Sequence, residues 1–117
     1  MLVSLFLSFI ACEGNYRHVV ISGTIKEQNS NAPIPYAKVM VKSWYYDTKI
    51  WQSRFVEKTT LTDTSGYYEL SFDKSNAFDL ATEAPGMKTF EQSANLEKSK
   101  IVLNIYLETL SPPNVKP

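Results

Sequence analysis

Residues Thr60–Phe72 read TLTDTSGYYELSF, and the fold turns on whether the polar centre, Asp63-Thr64-Ser65-Gly66, binds a ligand or reverses the chain. An aspartate at the first position of a turn accepts hydrogen bonds from the amides ahead of it, and a glycine at the fourth takes a positive φ without steric cost. A calcium loop would continue with oxygen ligands at alternate positions. Here Tyr67 and Tyr68 stand where such a loop needs its third ligand and its glycine. Asp63 and Gly66 are therefore read as turn residues, with no metal. Beyond them Tyr68, Leu70 and Phe72 share one face of a strand.

The same period of two extends in both directions. In VVISGTIKE (residues 19–27) Val19, Ile21 and Ile25 fall on one side, with Gly23 between them. Pro33 and Pro35 interrupt the pattern and suit a turn or a sheet edge. AKVMVKSWYY (37–46) alternates again, with Ala37, Val39 and Val41 opposite Lys38, Met40 and Lys42. A hairpin tip is expected near Asp47 to Lys49, then an extended run from Ile50 to Thr62 whose faces the pattern does not assign. FDLATEA (78–84) reads as a strand, Pro85-Gly86 as a tight reversal, and KTFEQSA (88–94) as a weaker strand. KIVLNIYLE (100–108) alternates most clearly, with Ile101, Leu103, Ile105 and Leu107 on one side. No stretch carries the apolar spacing of a long helix. About seven short strands separated by turn signals predict an all-β chain, a single antiparallel β-sandwich. Val19, Ile21, Val39, Val41, Leu70, Phe72, Ile101, Leu103 and Ile105 are expected inside it.

Composition agrees with one domain: 117 residues, 44% hydrophobic, with 12 basic residues against 12 acidic. Neither charge forms a run, so nucleic acid is not an expected partner. The opening MLVSLFLSFIAC differs in kind. Its apolar core has signal-peptide length and is too short to span a bilayer as a helix. Phe9-Ile10-Ala11-Cys12 resembles the lipobox of bacterial lipoproteins, in which the cysteine is lipidated and becomes the mature N-terminus. Cys12 is also the chain's one cysteine, which leaves no internal disulfide to form; the alternatives are a small buried thiol in a first strand and a signal peptide without lipidation. The organisation expected is a lipoprotein signal peptide over 1–11, lipidated Cys12 and a tether over 12–18, the sandwich over 19–110, and a proline-rich tail over 111–117. The resemblance implies an exported protein anchored in the bacterial cell envelope, the outer membrane in particular, although no basic residue precedes the apolar core.

SGTIKEQNSNAPIPYAKVMV, TLTDTSGYYELSF and LATEAPGM, in that order, resemble the carboxypeptidase regulatory-like domain, a transthyretin-like, immunoglobulin-like sandwich. Two positions depart from its pattern: Tyr36 stands for a glycine and Met87 for a tyrosine. The peptidase that gives that family its name has no counterpart here, and His18, the single histidine, cannot supply the two Tyr and two His with which related sandwiches bind iron. A histidine in or beside a tether is also poorly placed as a catalytic base. No enzyme activity and no cofactor are expected. The remaining candidate patch is SWYYDTKIW, where Trp44, Tyr45, Tyr46 and Trp51 cluster near one hairpin. They either pack the sandwich, bind an envelope protein or form a platform for polysaccharide. The first function expected is a structural or protein-interaction module; the alternative is a carbohydrate-binding module.

Overall fold

A computed structural model describes residues 15–110. The apolar leader, Cys12 and the tail over 111–117 lie outside the described residues. Eight strands are found among them: β1 (Tyr16–Glu27), β2 (Lys38–Asp47), β3 (Gln52–Leu61), β4 (Tyr67–Ser75), β5 (Ala77–Glu83), β6 (Phe90–Asn95), β7 (Lys100–Val102) and β8 (Ile105–Leu107). They form two sheets packed as a sandwich. One has the order β4-β1-β7, with β8 further along β1 on the β7 side; the other has the order β3-β2-β5-β6.

The alternating residues meet between the sheets. Val19, Ile21 and Ile25 of β1, Val39 and Val41 of β2, Tyr68, Leu70 and Phe72 of β4, and Ile105 and Leu107 of β8 are buried together with Phe78 and Leu80 of β5. Ile101 and Leu103, also expected inside, are half-buried and pack against this cluster. Burial of such side chains supplies the main drive to fold, about 25 cal/mol for each Å² of apolar surface removed from water.

Three sequence readings are corrected. β1 starts at Tyr16, so Tyr16, Arg17 and His18, read as tether, belong to the sheet; exposed His18 adopts a φ of 52° within it. The last strands pair with β1 in parallel, whereas the other pairings are antiparallel. Alternation reports faces and is blind to direction, so this order was not legible. The final strand is also broken in two. Gly23 is the reason: a methyl group there would overlap the carbonyl oxygen of Leu103. The chain jogs at Leu103-Asn104, bringing that carbonyl over Gly23. Its pairing is kept by Leu103 N–H donating to Ser22 O at 2.7 Å and by Tyr68 Oη donating to Leu103 O at 2.7 Å.

The two sheets are unequal in width. The first is three strands across and the second four, so β3 is incompletely covered and nine of its ten residues are exposed. Its register with β2 places Arg54, Val56, Lys58 and Thr60 on the side facing the other sheet. Lys58 reaches across, donating from Nζ to Ser71 O of β4 at 2.6 Å and lying 5.1 Å from the Phe72 ring centroid.

Candidate functional site

The four candidate aromatics divide between two faces. β2 continues its alternation through them, so Trp44 and Tyr46 point outward from the second sheet while Tyr45 turns toward the first, where Lys74 Nζ lies 4.7 Å from its ring. Trp51 ends the Thr48–Trp51 turn, with φ 56° and 73% of its surface exposed. It meets Tyr46 edge to face, ring centroids 6.4 Å apart.

Trp44 makes a different pair. Antiparallel pairing of Asp47 with Gln52 sets Phe55 opposite Trp44, and their rings lie 4.9 Å apart at 58°. Phe55 is 47% exposed. Lys42 Nζ sits 4.6 Å from the Phe55 centroid and 5.9 Å from that of Trp44, a cation held against aromatic faces. On the next strand Asp79 accepts from Trp44 Nε1 at 2.8 Å and from Ser93 Oγ at 2.6 Å. Those bonds, Ser93 first, with help from Lys42, hold its carboxyl below the usual aspartate range. Lys42, Asp79 and Ser93 also line a shallow trough of about 440 Å³, with Glu57, Met40 and Glu91 around it. The face thus joins a tilted aromatic pair to fixed charges of both signs.

Phe55, Lys42 and Asp79 were missed by sequence reasoning. The signal available was the four-residue turn, since fixing it at Thr48–Trp51 sets the whole β2–β3 register and brings Phe55 beside Trp44.

The turn residues occupy the far end. Asp63 Oδ1 accepts from Ser65 N at 2.9 Å, Ser65 Oγ at 2.8 Å and Tyr67 N at 3.0 Å, and these bonds, that from Tyr67 first, hold its carboxyl below the ordinary aspartate range. Gly66 closes the turn with φ 81°, donating to Asp63 O at 3.0 Å. Through Oδ1, turned onto two amides and a hydroxyl of the chain itself, Asp63 shapes backbone. Pro85 and Gly86 form a second reversal, in which Gly86 has φ 77° and Met87 N–H donates to Ala84 O at 3.1 Å. Among the described residues no three His, Cys, Asp or Glu side chains are grouped as metal ligands would be.

A two-sheet sandwich whose turns are built on Asp63-Gly66 and Pro85-Gly86, and whose second sheet presents an open outer face, defines the class. The chain belongs to the carboxypeptidase regulatory-like domain family, which it matches over residues 20–108. A search of curated sequences returns no match. Among solved structures, catechol 1,2-dioxygenase of Acinetobacter radioresistens is similar with a TM-score of 0.64 and 16% identity, over 87% of this chain and 56% of the enzyme. The chain thus spans about half the length of that protein. The C-terminal domain of the shaft pilin SpaA from Lactobacillus rhamnosus GG gives 0.55 and 10% identity over 79% of this chain and 98% of that domain. A 9R-lipoxygenase from Cyanothece gives 0.51 and 13% identity, over 84% of this chain and 18% of the enzyme. At these identities the likeness is one of fold.

Proposed function

We propose that the chain is a non-catalytic protein-interaction module of the bacterial cell envelope, tethered through a lipid on Cys12, and that its binding surface is the outer face around Trp44 and Phe55. The observation that carries this reading is the tilt of that pair. Rings at 58° make a compact patch rather than the level row on which a sugar chain would stack. A half-exposed aromatic anchor bordered by Lys42, Glu57 and Asp79 has the composition of a protein-binding hot spot with a polar rim. Asp79 supports a binding role: ionised and engaged by Ser93 and Trp44, it orders the surface instead of exchanging protons at neutral pH.

The test compares capture of envelope proteins with binding to a glycan array. Trp44→Ala and Phe55→Ala should each weaken a captured protein partner by about tenfold or more, with no glycan bound. A polysaccharide whose binding is lost in Trp44→Ala would reverse the reading in favour of carbohydrate. For the tether, Cys12→Ser should move the protein from the membrane fraction to the soluble one.

A further inference from the structure

The geometry points to a second contact surface, the β2–β3 hairpin tip, docked into the headgroup region of an anionic phospholipid bilayer. The inference rests on the reading of Cys12 as the lipid anchor and concerns Ile50 and Trp51, apart from the Trp44–Phe55 patch.

Asn15 provides the geometric link. Its side chain pairs with the backbone of Tyr46 as a neighbouring strand would, Nδ2 donating to Tyr46 O at 2.9 Å and Oδ1 accepting from Tyr46 N at 2.9 Å. Asn76 Nδ2 adds a third bond to Oδ1 at 3.2 Å. The chain is thereby fixed beside the last residues of β2 before the tip. Three residue steps separate Cys12 from Asn15, and an extended chain covers no more than about 11 Å in that span. A lipid on Cys12 therefore holds this end of the sandwich close to the membrane, and the Asp63 turn at the opposite end away from it.

The tip has the chemistry of a bilayer interface. Trp51 is 73% exposed and Ile50 44%, and the tryptophan is held out by a backbone φ of 56° that side chains other than glycine rarely adopt. Indole rings favour the headgroup level, where an apolar body and a polar N–H are both satisfied. Charge at this end leans positive. Lys49 lies in the turn, Arg54 pairs with Asp47 at 3.7 Å, and Lys74 is in register with Arg17. Against these four cations stand Asp47 and Asp73; Glu97 and Lys98 of the adjoining loop offset each other, and Glu13 in the link to Cys12 leaves a net excess of one positive charge. Such an excess beside a tethered acyl chain suits anionic headgroups. A protein partner would be expected to bury an anchor of this kind in a pocket and has no such need for the short tether.

The experiment uses the full chain carrying Trp44→Phe, which leaves Trp51 as the one remaining indole of two, isolated from membranes and reconstituted into phosphatidylethanolamine–phosphatidylglycerol vesicles with brominated acyl chains. Trp51 emission should shift to the blue and lose most of its intensity, and Ile50→Glu should restore the emission of a water-exposed indole. The mass of the N-terminal peptide from the same preparation reads the anchor separately. A lipid on Cys12 with Trp51 unshifted and unquenched would overturn the docked tip and leave the lipoprotein reading standing. No lipid on Cys12 would overturn both. Quenching unchanged by Ile50→Glu would also overturn the tip, since immersion would then not depend on its apolar surface.

Discussion

Tyr36 shows how a single side chain can work against its backbone. It adopts φ 59°, in the left-handed region where a Cβ crowds the following carbonyl, at the position where the family pattern has glycine. The residue is 63% exposed and offers little packing in return. Tyr36→Gly is therefore expected to raise unfolding free energy by about 1 kcal/mol, measured by urea titration; no gain would mean that the ring makes a stabilising contact in solution. Thr62 anchors the same turn from below. Its hydroxyl accepts from Ala37 N at 2.8 Å and donates to Ile34 O at 2.6 Å, a role its place before Asp63 in the sequence did not reveal. Carboxylates set the pH response. Asp63 and Asp79 are held below their usual range, and Glu27 falls to about 2, chiefly through the Ser30 hydroxyl and amide. A group whose folded value is depressed contributes stability above its unfolded value and loses it as pH falls through the folded one. Stability should thus decline between about pH 5 and pH 2. Asp63→Asn, which keeps an acceptor oxygen and removes the charge, should flatten part of that decline in thermal melts; an unchanged slope would show that Asp63 has the same affinity for protons in both states.

At the level of elements, legibility followed burial. β1, β2 and β4 were readable because one side of each faces the core and the other water, so the period of two is written in residue type. β3 was not, because both its sides are largely solvated: Arg54, Val56, Lys58 and Thr60 face the other sheet, and of these only Thr60 is half-buried. Without a buried side there is no pattern to read, and Phe55, whose position depends on the β2–β3 register, was missed with it. The final strand shows the opposite case, a clear pattern interrupted by a contact elsewhere in the chain. Gly23 stands opposite Tyr68 in β4, and the gap it leaves admits the Leu103 carbonyl that Tyr68 bonds. Gly23→Ala should force that backbone aside at a cost of about 1–3 kcal/mol, seen as a lower denaturation midpoint. A neutral effect would mean that β7 and β8 can join into one straight strand.

At the scale of the whole molecule, the difference in sheet width leaves the inward side of β3 open, and a sequence pattern registers that difference only as a strand without alternation. β3 is ten residues long, without proline, and the other sheet offers no fourth strand to cover it. A strand left in that state is a template on which further copies of a chain could polymerise. Lys58 acts as a gatekeeper. Its charge lies on the inward side of the exposed strand, where an incoming chain would have to bury it, and its ammonium already occupies the Ser71 carbonyl of β4 that a newcomer would use. Lys58→Val keeps strand propensity and removes both obstacles. It should leave the fold intact by circular dichroism while converting monomer to aggregate on concentration, followed by light scattering. If the variant stays monomeric at concentrations where the natural protein does, other exposed charges of β3, Arg54 and Glu57, are sufficient to keep the molecule solitary.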